Sequence, residues 1–519
     1  MAESSSPDQP PLDTARHIRY WQRCLRTLLP HHYVSNDSIR LTLGFFIVAA
    51  LDLLSSSSSY SEPPSDPLKA SLITLDDRKR LRKWVLSLQH PLGGFCGSPH
   101  HVLPIDYTTR WDPVSGATVA VDPANANIAA TYFALLLLGI LADDDGSRAY
   151  EGVKRIETLR WLKKLQRDDG SFGEIIDEDR YVGGGRDMRY CYLAATIRWM
   201  LGGAELGEAE DINVDALVAH IRRAQTFDGG VGETSMHESH AGYAYCAVAA
   251  LSLLDLANPD AATQPRRYLH AGIPSIPSLV YFLACRQLDY LDRASNEESE
   301  EDAPENHELP DLSNLSVTDG AQLVGFNGRL NKVADTCYTW WVSGALSMLG
   351  ENKVVDRGPS RKFILEKTQH FIGGFAKHPG GPPDVYHAYL GLAALCTMAG
   401  AEGAKEEGLG RFDPRLCVGA EAAARIAKGR EGLLARSGDD GDDDELSEDE
   451  KEELEQIKKK LDWDARIARI ERRRARCRAA GKDPRREMTR WNPFDPPEWA
   501  KDDEEAEAEE KQGSTTPGR

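Results

Sequence analysis

Residues 225–254 read QTFDGGVGETSMHESHAGYAYCAVAALSLL. Gly229 lies four residues after Gln225, and an apolar residue, Val231, lies at six. A glycine just past a helix supplies the left-handed cap that lets the chain reverse. The run that follows the turn is alanine, aromatics and small residues with no polar face, the composition of a helix buried all round. The same arrangement recurs as Gln89-HPLGGFCG, Gln166-RDDGSFGE and Gln369-HFIGGFAK, with Phe95, Phe172 and Phe375 at the sixth place. A looser copy, QLVGFNGR, begins at Gln322. Each turn is followed by an apolar helix: ANIAATYFALLLLGIL, RDMRYCYLAATIRWML, SHAGYAYCAVAALSLL, DTCYTWWVSGALSML and DVYHAYLGLAALCTM.

The segments leading into the turns, such as RKRLRKWVLSLQ, ETLRWLKKLQ and VDALVAHIRRAQ, are amphipathic at helical period, as is HIRYWQRCLRTLL near the start. Alternating strand patterns are scarce. The repeating unit is therefore an amphipathic helix, a glycine turn and an apolar helix. Stacked side by side, such units put the apolar helices inside and the amphipathic ones outside. If the ring closes, the fold is an all-α α/α barrel, or toroid, of two concentric helix layers around a central cavity. Functional side chains then gather where the turns meet the starts of the inner helices. The expected boundaries are a disordered N-terminus over 1–16, the barrel over 17–428, and a charged tail, partly helical or disordered, over 429–519. Segments 54–67 and 296–311 read as low-complexity surface loops.

The 519 residues carry 62 Lys and Arg against 82 Asp and Glu, a net charge of −20. That sign argues against general nucleic-acid binding. Much of the acid sits in GDDGDDDELSEDEKEE and KDDEEAEAEE, so the barrel itself is nearer neutral. Nine cysteines without tight spacing do not form a disulfide framework and suit a reducing compartment. The polar start MAESSSPDQPP reads as no signal peptide, and the end TTPGR bears no lipidation cysteine. The longest apolar runs fall short of the ~20 residues of a membrane span. A cytoplasmic protein is expected.

Chemistry concentrates in GFNGRLNKVADTCYTWW, residues 325–341. Asp335 and Cys337 diverge on a regular helix but can converge at a helix start, where the dipole favours a thiolate. A third zinc ligand could come from His387, at the start of the next inner helix. Asp, Cys and His leave the fourth zinc position open, as catalytic sites do. From spacing alone, a capping aspartate beside a buried cysteine is the simpler reading. Basic and donor side chains at the same junctions weigh against it: Arg329, Lys332, Tyr338, Arg189 and His240. Cations around an apolar, aromatic-lined well suit a ligand with a polyanionic head and a hydrocarbon tail, such as an isoprenoid diphosphate.

These motifs resemble the β subunits of protein prenyltransferases, from about residue 17 to 425. By that resemblance Asp335, Cys337 and His387 are the catalytic zinc ligands. His240, Arg329, Lys332 and Tyr338 contact the prenyl diphosphate, Arg189 lies in the same region, and Trp341 joins the substrate-binding set. The first helices are most similar to those of geranylgeranyltransferase type I. Thr42 falls where farnesyltransferases carry a tryptophan that shortens the lipid cavity. Lys377 falls where they carry a magnesium-binding aspartate, which implies little need for Mg²⁺. Tyr386 points the other way, toward the farnesyltransferase pattern. The resemblance further implies an α-subunit partner, geranylgeranyl diphosphate as lipid donor, and acceptors ending in Cys-aliphatic-aliphatic-X, X often Leu, such as Rho- and Rac-type small GTPases. A terpene-cyclase barrel is the rival enzyme, but the only dense acid triplet, Asp143-Asp144-Asp145, lies in a polar loop. A binding-only barrel is the non-catalytic rival.

Overall fold

The protein is described from a computed structural model over residues 11–436, apart from 56–71, 91, 99–108, 113–116, 121–125, 144, 177–181, 208–209, 259, 261 and 291–321. The loop expected at 54–67 begins two residues late, because Leu54 and Ser55 still belong to a helix; its remainder, the loop at 296–311, the tail beyond 436 and the first ten residues lie outside that range. The first helix, α1 (Thr14–Arg26), starts before residue 17 because Asp13 caps it and Leu12 is buried beneath it. The last, α14 (Ala420–Arg436), runs past 428 and packs on the barrel.

Six apolar helices form the inner layer: α2 (Arg40–Ser55), α4 (Ile128–Ile140), α6 (Met188–Met200), α8 (Ala241–Leu256), α11 (Thr336–Leu349) and α13 (Val385–Glu406). Each packs on the next in that order, and α13 packs back on α2, so the ring is closed. Five were announced by a glycine turn. The sixth, α2, is entered instead through Pro30 and a 3-10 stretch, His31–Ile39. That stretch and α2 together make one run, His31–Ser55, long and apolar enough to cross a membrane by length and composition, with 61% of its apolar window buried in the barrel. Its burial marks it as a core helix. Around the ring stand α1, α3 (Leu75–Leu86), α5 (Arg155–Lys164), α7 (Val214–Ala224), α9 (Arg267–Gly272), α10 (Ile276–Ala284) and α12 (Arg357–Phe363). The described strands form five two-stranded antiparallel pairs of two to four residues a strand, none part of a larger sheet.

The turn glutamines stitch the ring. The Gln166 side chain donates to the Asn213 carbonyl at 2.9 Å and accepts from the Asn213 amide at 2.7 Å, reading the residue that caps α7. Gln89 does the same at Gly152 and Lys154 before α5, and Gln225 at Ser275 before α10. Gln369 accepts from the amide of Asp13 before α1, which closes the circle. The turn glycine makes the approach possible. Gly170 has φ +87°, and a Cβ there would lie 1.9 Å from the Ala216 carbonyl oxygen of α7.

The looser fifth copy is not where the local pattern placed it. Gln322 is exposed, and the stitching is done by Gln287, which bonds Val354 and Asp356 before α12. Gln287 pairs with Phe326, just as Gln166 pairs with Phe172 and Gln369 with Phe375. Residues 291–321 thus interrupt one repeat between its glutamine and its aromatic residue.

The fifth residue of five inner helices is aromatic: Tyr132, Tyr192, Tyr245, Trp340 and Tyr389. All are buried. Tyr192, Tyr245 and Tyr389 donate to the carbonyls of Arg415, Pro414 and Cys417 at 2.7–2.9 Å, while Phe412 lies against Trp340 and Tyr389. The chain between α13 and α14 therefore closes the barrel from the C-terminal ends of its inner helices.

Candidate metal centre and anion site

Asp335 is the N-cap of α11, with extended backbone, and its Oδ1 accepts from the Cys337 amide at 2.8 Å. Both side chains therefore point out of the helix start together. Thr336 fixes the neighbour: its amide and hydroxyl donate to the carbonyls of Lys377 and Ala376, at 3.0 and 2.6 Å. This holds the start of α11 beside the turn that leads into α13. Asp384 stands just ahead of α13 and accepts from the amides of Tyr386 and His387, both at 2.9 Å. Its other oxygen lies 2.6 Å from His387 Nδ1. That carboxylate holds the proton on Nδ1, which leaves Nε2, 3.4 Å from Asp335 Oδ1, as the ring nitrogen that faces the other two ligand atoms and would bind a metal. The ligand atoms of Asp335, Cys337 and His387 all lie within 4.8 Å of one another.

The donors fit a divalent metal. Burial, then the Asp335 carboxylate, pushes the Cys337 thiol well above its usual range. Burial also works against the Asp335 charge, but bonds to His387 and Cys337 hold its carboxyl below the ordinary value. Burial disfavours charge on His387, yet Asp335 and Asp384 lift it to about 9. Two carboxylates and a thiol around one imidazole could hold a cation, and Asp, Cys and His with a fourth position open match the donor set of a catalytic zinc site.

The second group forms across α8 and α11. His240 caps α8: its Nδ1 accepts from the Gly242 amide at 3.0 Å, and its Nε2 lies 3.0 Å from the Tyr338 hydroxyl. An amide can only donate, so Nδ1 is unprotonated and Nε2–H donates to Tyr338. The Tyr338 O–H is then free to donate to a ligand. Burial, with Arg329 and Arg189 nearby, holds His240 neutral at about 4. Arg329 Nη1 binds Glu238 at 2.5 Å, and Arg189 binds Asp187 through Nε and Nη2. Lys332 and Lys377 are exposed on the adjoining turns, their backbone carbonyls bonded to Asn327 and Thr336. Trp341, one turn after Cys337, packs edge-on to Tyr245 at 4.9 Å. Phe133, Tyr243, Tyr338, Trp341 and Tyr386 keep part of their surface open although they sit on inner helices, as the lining of an interior well does. Thr42, half-buried in the first turn of α2, lies one turn before Phe46, which meets both Phe133 and Tyr386. Tyr386 itself is T-shaped to His387.

Residues 12–418 match the prenyltransferase alpha-alpha toroid domain. The chain belongs to the prenyltransferase alpha-alpha toroid family. Among relatives of this family, the Arabidopsis thaliana geranylgeranyl transferase type-1 subunit beta is 29% identical over 422 residues, covering 79% of this chain and 90% of the relative. The Pyricularia oryzae protein farnesyltransferase subunit beta is 25% identical, covering 76% of this chain and 65% of the relative. A solved structure of Candida albicans protein geranylgeranyltransferase-I complexed with GGPP is similar at TM-score 0.60 and 25% identity, over 81% of this chain and all of that one.

A prenyltransferase toroid puts Asp335, Cys337 and His387 together, and His240 with Tyr338 and Arg329. Two acids outside the expected set complete these groups, Asp384 behind His387 and Glu238 behind Arg329. Asp384 directly precedes α13, where an acid reads as an ordinary cap, and Glu238 lies three residues ahead of α8 in a polar turn. Asp143 accepts from the Gly146 amide in the loop after α4 and Asp145 is exposed, so neither of these two is the deep proton source a cyclase of the protonating kind requires. A further cavity of about 340 Å³ is lined by Asp255, Arg266, Pro414 and Arg415. It lies at the C-terminal ends of α8 and α11, and its charged groups are already taken, Arg266 and Asp255 by backbone groups and Arg415 by Asp413, so it is not the metal or anion site.

Proposed function

We propose that this chain is the catalytic β subunit of a protein geranylgeranyltransferase of type I. The observation that carries the reading is the meeting of Asp335, Cys337 and His387 beside the His240–Tyr338–Arg329 group. The type-1 β-subunit relative and the GGPP-bound neighbour support geranylgeranyl as the lipid. In this reading the acceptor is the cysteine of a C-terminal Cys-aliphatic-aliphatic-X sequence, with Leu favoured at X and Rho- and Rac-type GTPases as clients. The ion that the three ligands would hold, Zn²⁺, supplies the positive charge under which an acceptor thiol ionises near neutral pH.

The chain's own residues handle the other partner. A C–S bond forms at C1 of geranylgeranyl diphosphate as the C1–O bond breaks, and the electron pair leaves with the diphosphate. Charge grows on the departing oxygens. The Tyr338 O–H, oriented by His240, and the cations of Arg329, Lys332 and Lys377 stabilise that charge. Arg189, held by Asp187, belongs to the same rim. Lys377 takes a place that a metal-bound aspartate would otherwise fill, which favours little dependence on Mg²⁺. Thr42 leaves the well open to the longer lipid, and Trp341 and Tyr386 wall it near the metal ligands.

An α subunit completes the enzyme in this reading. Phe227, Leu330, Val333 and Phe371 on the turns stand open to solvent, apolar surface of the kind a stable partner covers. The eight described cysteines are unpaired, which fits a cytoplasmic reaction. Tyr386 and the farnesyltransferase relative favour a second reading, a farnesyltransferase β subunit. The deciding experiment co-expresses an α subunit and compares turnover of geranylgeranyl and farnesyl diphosphate, with peptides ending in Leu or Met and with Mg²⁺ varied. Faster farnesyl transfer to the Met peptide selects the second reading, and no transfer by a zinc-loaded heterodimer rejects both.

A further inference from the structure

Arg329 is attached to the protein in an unusual way for a residue meant to meet a polyanion. Only Nη1 is engaged by protein among the described residues, and its partner is the carboxylate of Glu238, at 2.5 Å. Nε and Nη2 have no protein acceptor there. A guanidinium has two usable edges, so a carboxylate on one terminal nitrogen leaves the other edge directed and open. Both loops that carry the pair are built to hold one shape. Met236, two residues before Glu238, and Asn331, two after Arg329, have φ of +66° and +58°, two of only four non-glycine residues with positive φ among those described. Left-handed backbone costs a non-glycine residue free energy unless its surroundings fix it. The fixing contacts are present. Ser239 donates to Asp228 at 2.5 Å, the Ala241 amide donates to the Gly328 carbonyl at 2.8 Å, and Asn327 bonds the Lys332 carbonyl at 2.8 Å. The Ala241–Gly328 bond joins the Glu238 loop to the Arg329 loop, and the other two brace one loop each. Arg189 is also backed by an acid, Asp187, but along an edge, through Nε and Nη2.

We infer that Glu238 is a positioning residue: it holds the Arg329 guanidinium by one nitrogen so that its free edge meets the diphosphate of the lipid. The inference rests on the prenyl-transfer reading above. An exposed ion pair of this kind adds little to stability, so its value lies in orientation. The two residues then act as a unit, and a double-mutant cycle in the zinc-loaded heterodimer reads that directly.

Glu238→Ala should lower kcat for prenyl transfer about 10-fold, with a smaller change in the KM of the acceptor peptide. In an Arg329→Ala background the same change should do almost nothing. Glu238→Gln, which keeps an acceptor for Nη1, should restore most of the rate. Zinc content and melting of all variants should match the parent. Additive losses in the cycle, or a faster Glu238→Ala enzyme, overturn the inference: the first makes Glu238 independent of Arg329, and the second makes it a competitor for the cation. A parent heterodimer that neither binds nor transfers a prenyl diphosphate instead sinks the functional reading beneath it.

Discussion

Asp384 separates metal affinity from folding, because it caps α13 with one oxygen and holds His387 Nδ1 with the other. Asparagine caps a helix as well as aspartate but places no charge on the imidazole. Asp384→Asn should therefore weaken zinc affinity ~10–100-fold, the usual cost of a lost carboxylate behind a metal-bound histidine. Chelator competition would measure it, with melting of the metal-free protein little changed; unaltered affinity would mean that something else orients His387. Thr42 sets a second expectation. Thr42→Trp fills the space one turn before Phe46 and should shift preference from geranylgeranyl toward farnesyl diphosphate, by about 10-fold or more in the ratio of kcat/KM. An unchanged ratio would place the lipid's end elsewhere. At this scale Asp335, Cys337 and His387 were legible because each opens an inner helix and their chemistry is unusual there. Asp384 was hidden because an acid at a helix start needs no explanation beyond capping, and Glu238 because an acid in a polar turn needs none either.

The repeat is an element-scale device, and its energetics lie in the glutamine. Each turn glutamine satisfies backbone groups at the start of the next outer helix, groups that a helix end otherwise leaves unpaired. Gln287→Ala removes two such bonds, to the Val354 carbonyl and from the Asp356 amide, each 2.8–3.0 Å long. A loss of roughly 1–3 kcal/mol is expected. Gln322→Ala, on an exposed side chain, should stay within about 0.5 kcal/mol. Urea midpoints at constant m would compare them. Equal effects would return the fifth repeat to Gln322. The five turn-led inner helices and the two layers were readable from glycine spacing and apolar runs alone. The fifth glutamine was not, because residues 291–321 separate it from its aromatic partner, and a nearby Gln-Leu-Val-Gly imitates the pattern. The sixth inner helix carried no turn signature, since its lead-in is a proline and a 3-10 stretch.

Closure of the whole ring depends on one seam, where α1 meets the turn before α13. His17 sits in that seam with no exposed surface. The Gly374 amide donates to its Nδ1 at 3.3 Å, so Nε2 carries the proton and donates to the Gln369 side chain at 3.1 Å. Gln369 also binds the Asp13 amide, so the one imidazole supports both the seam and the helix start. A proton on Nδ1 would break the bond from Gly374 and bury a charge. Burial accordingly lowers the pKa of His17 to about 4, though the bond to Gln369 partly opposes the shift. An unfolded imidazole takes its proton near 6.5, so between about 6.5 and 4 the unfolded chain binds a proton that the folded one refuses. Stability from this group is then complete above about pH 6.5 and is lost as pH falls toward 4, amounting to about 2–3 kcal/mol by pH 4.5. His240, also held at about 4, adds a loss of the same sign at the start of α8. Melting temperatures of the protein and of His17→Gln, followed from pH 7.5 to 4.5, isolate the seam, because other titrating groups are common to both. The parent should lose more stability than the variant over that interval. Parallel curves would mean that water reaches the seam and that the ring is held shut by its apolar helices without it.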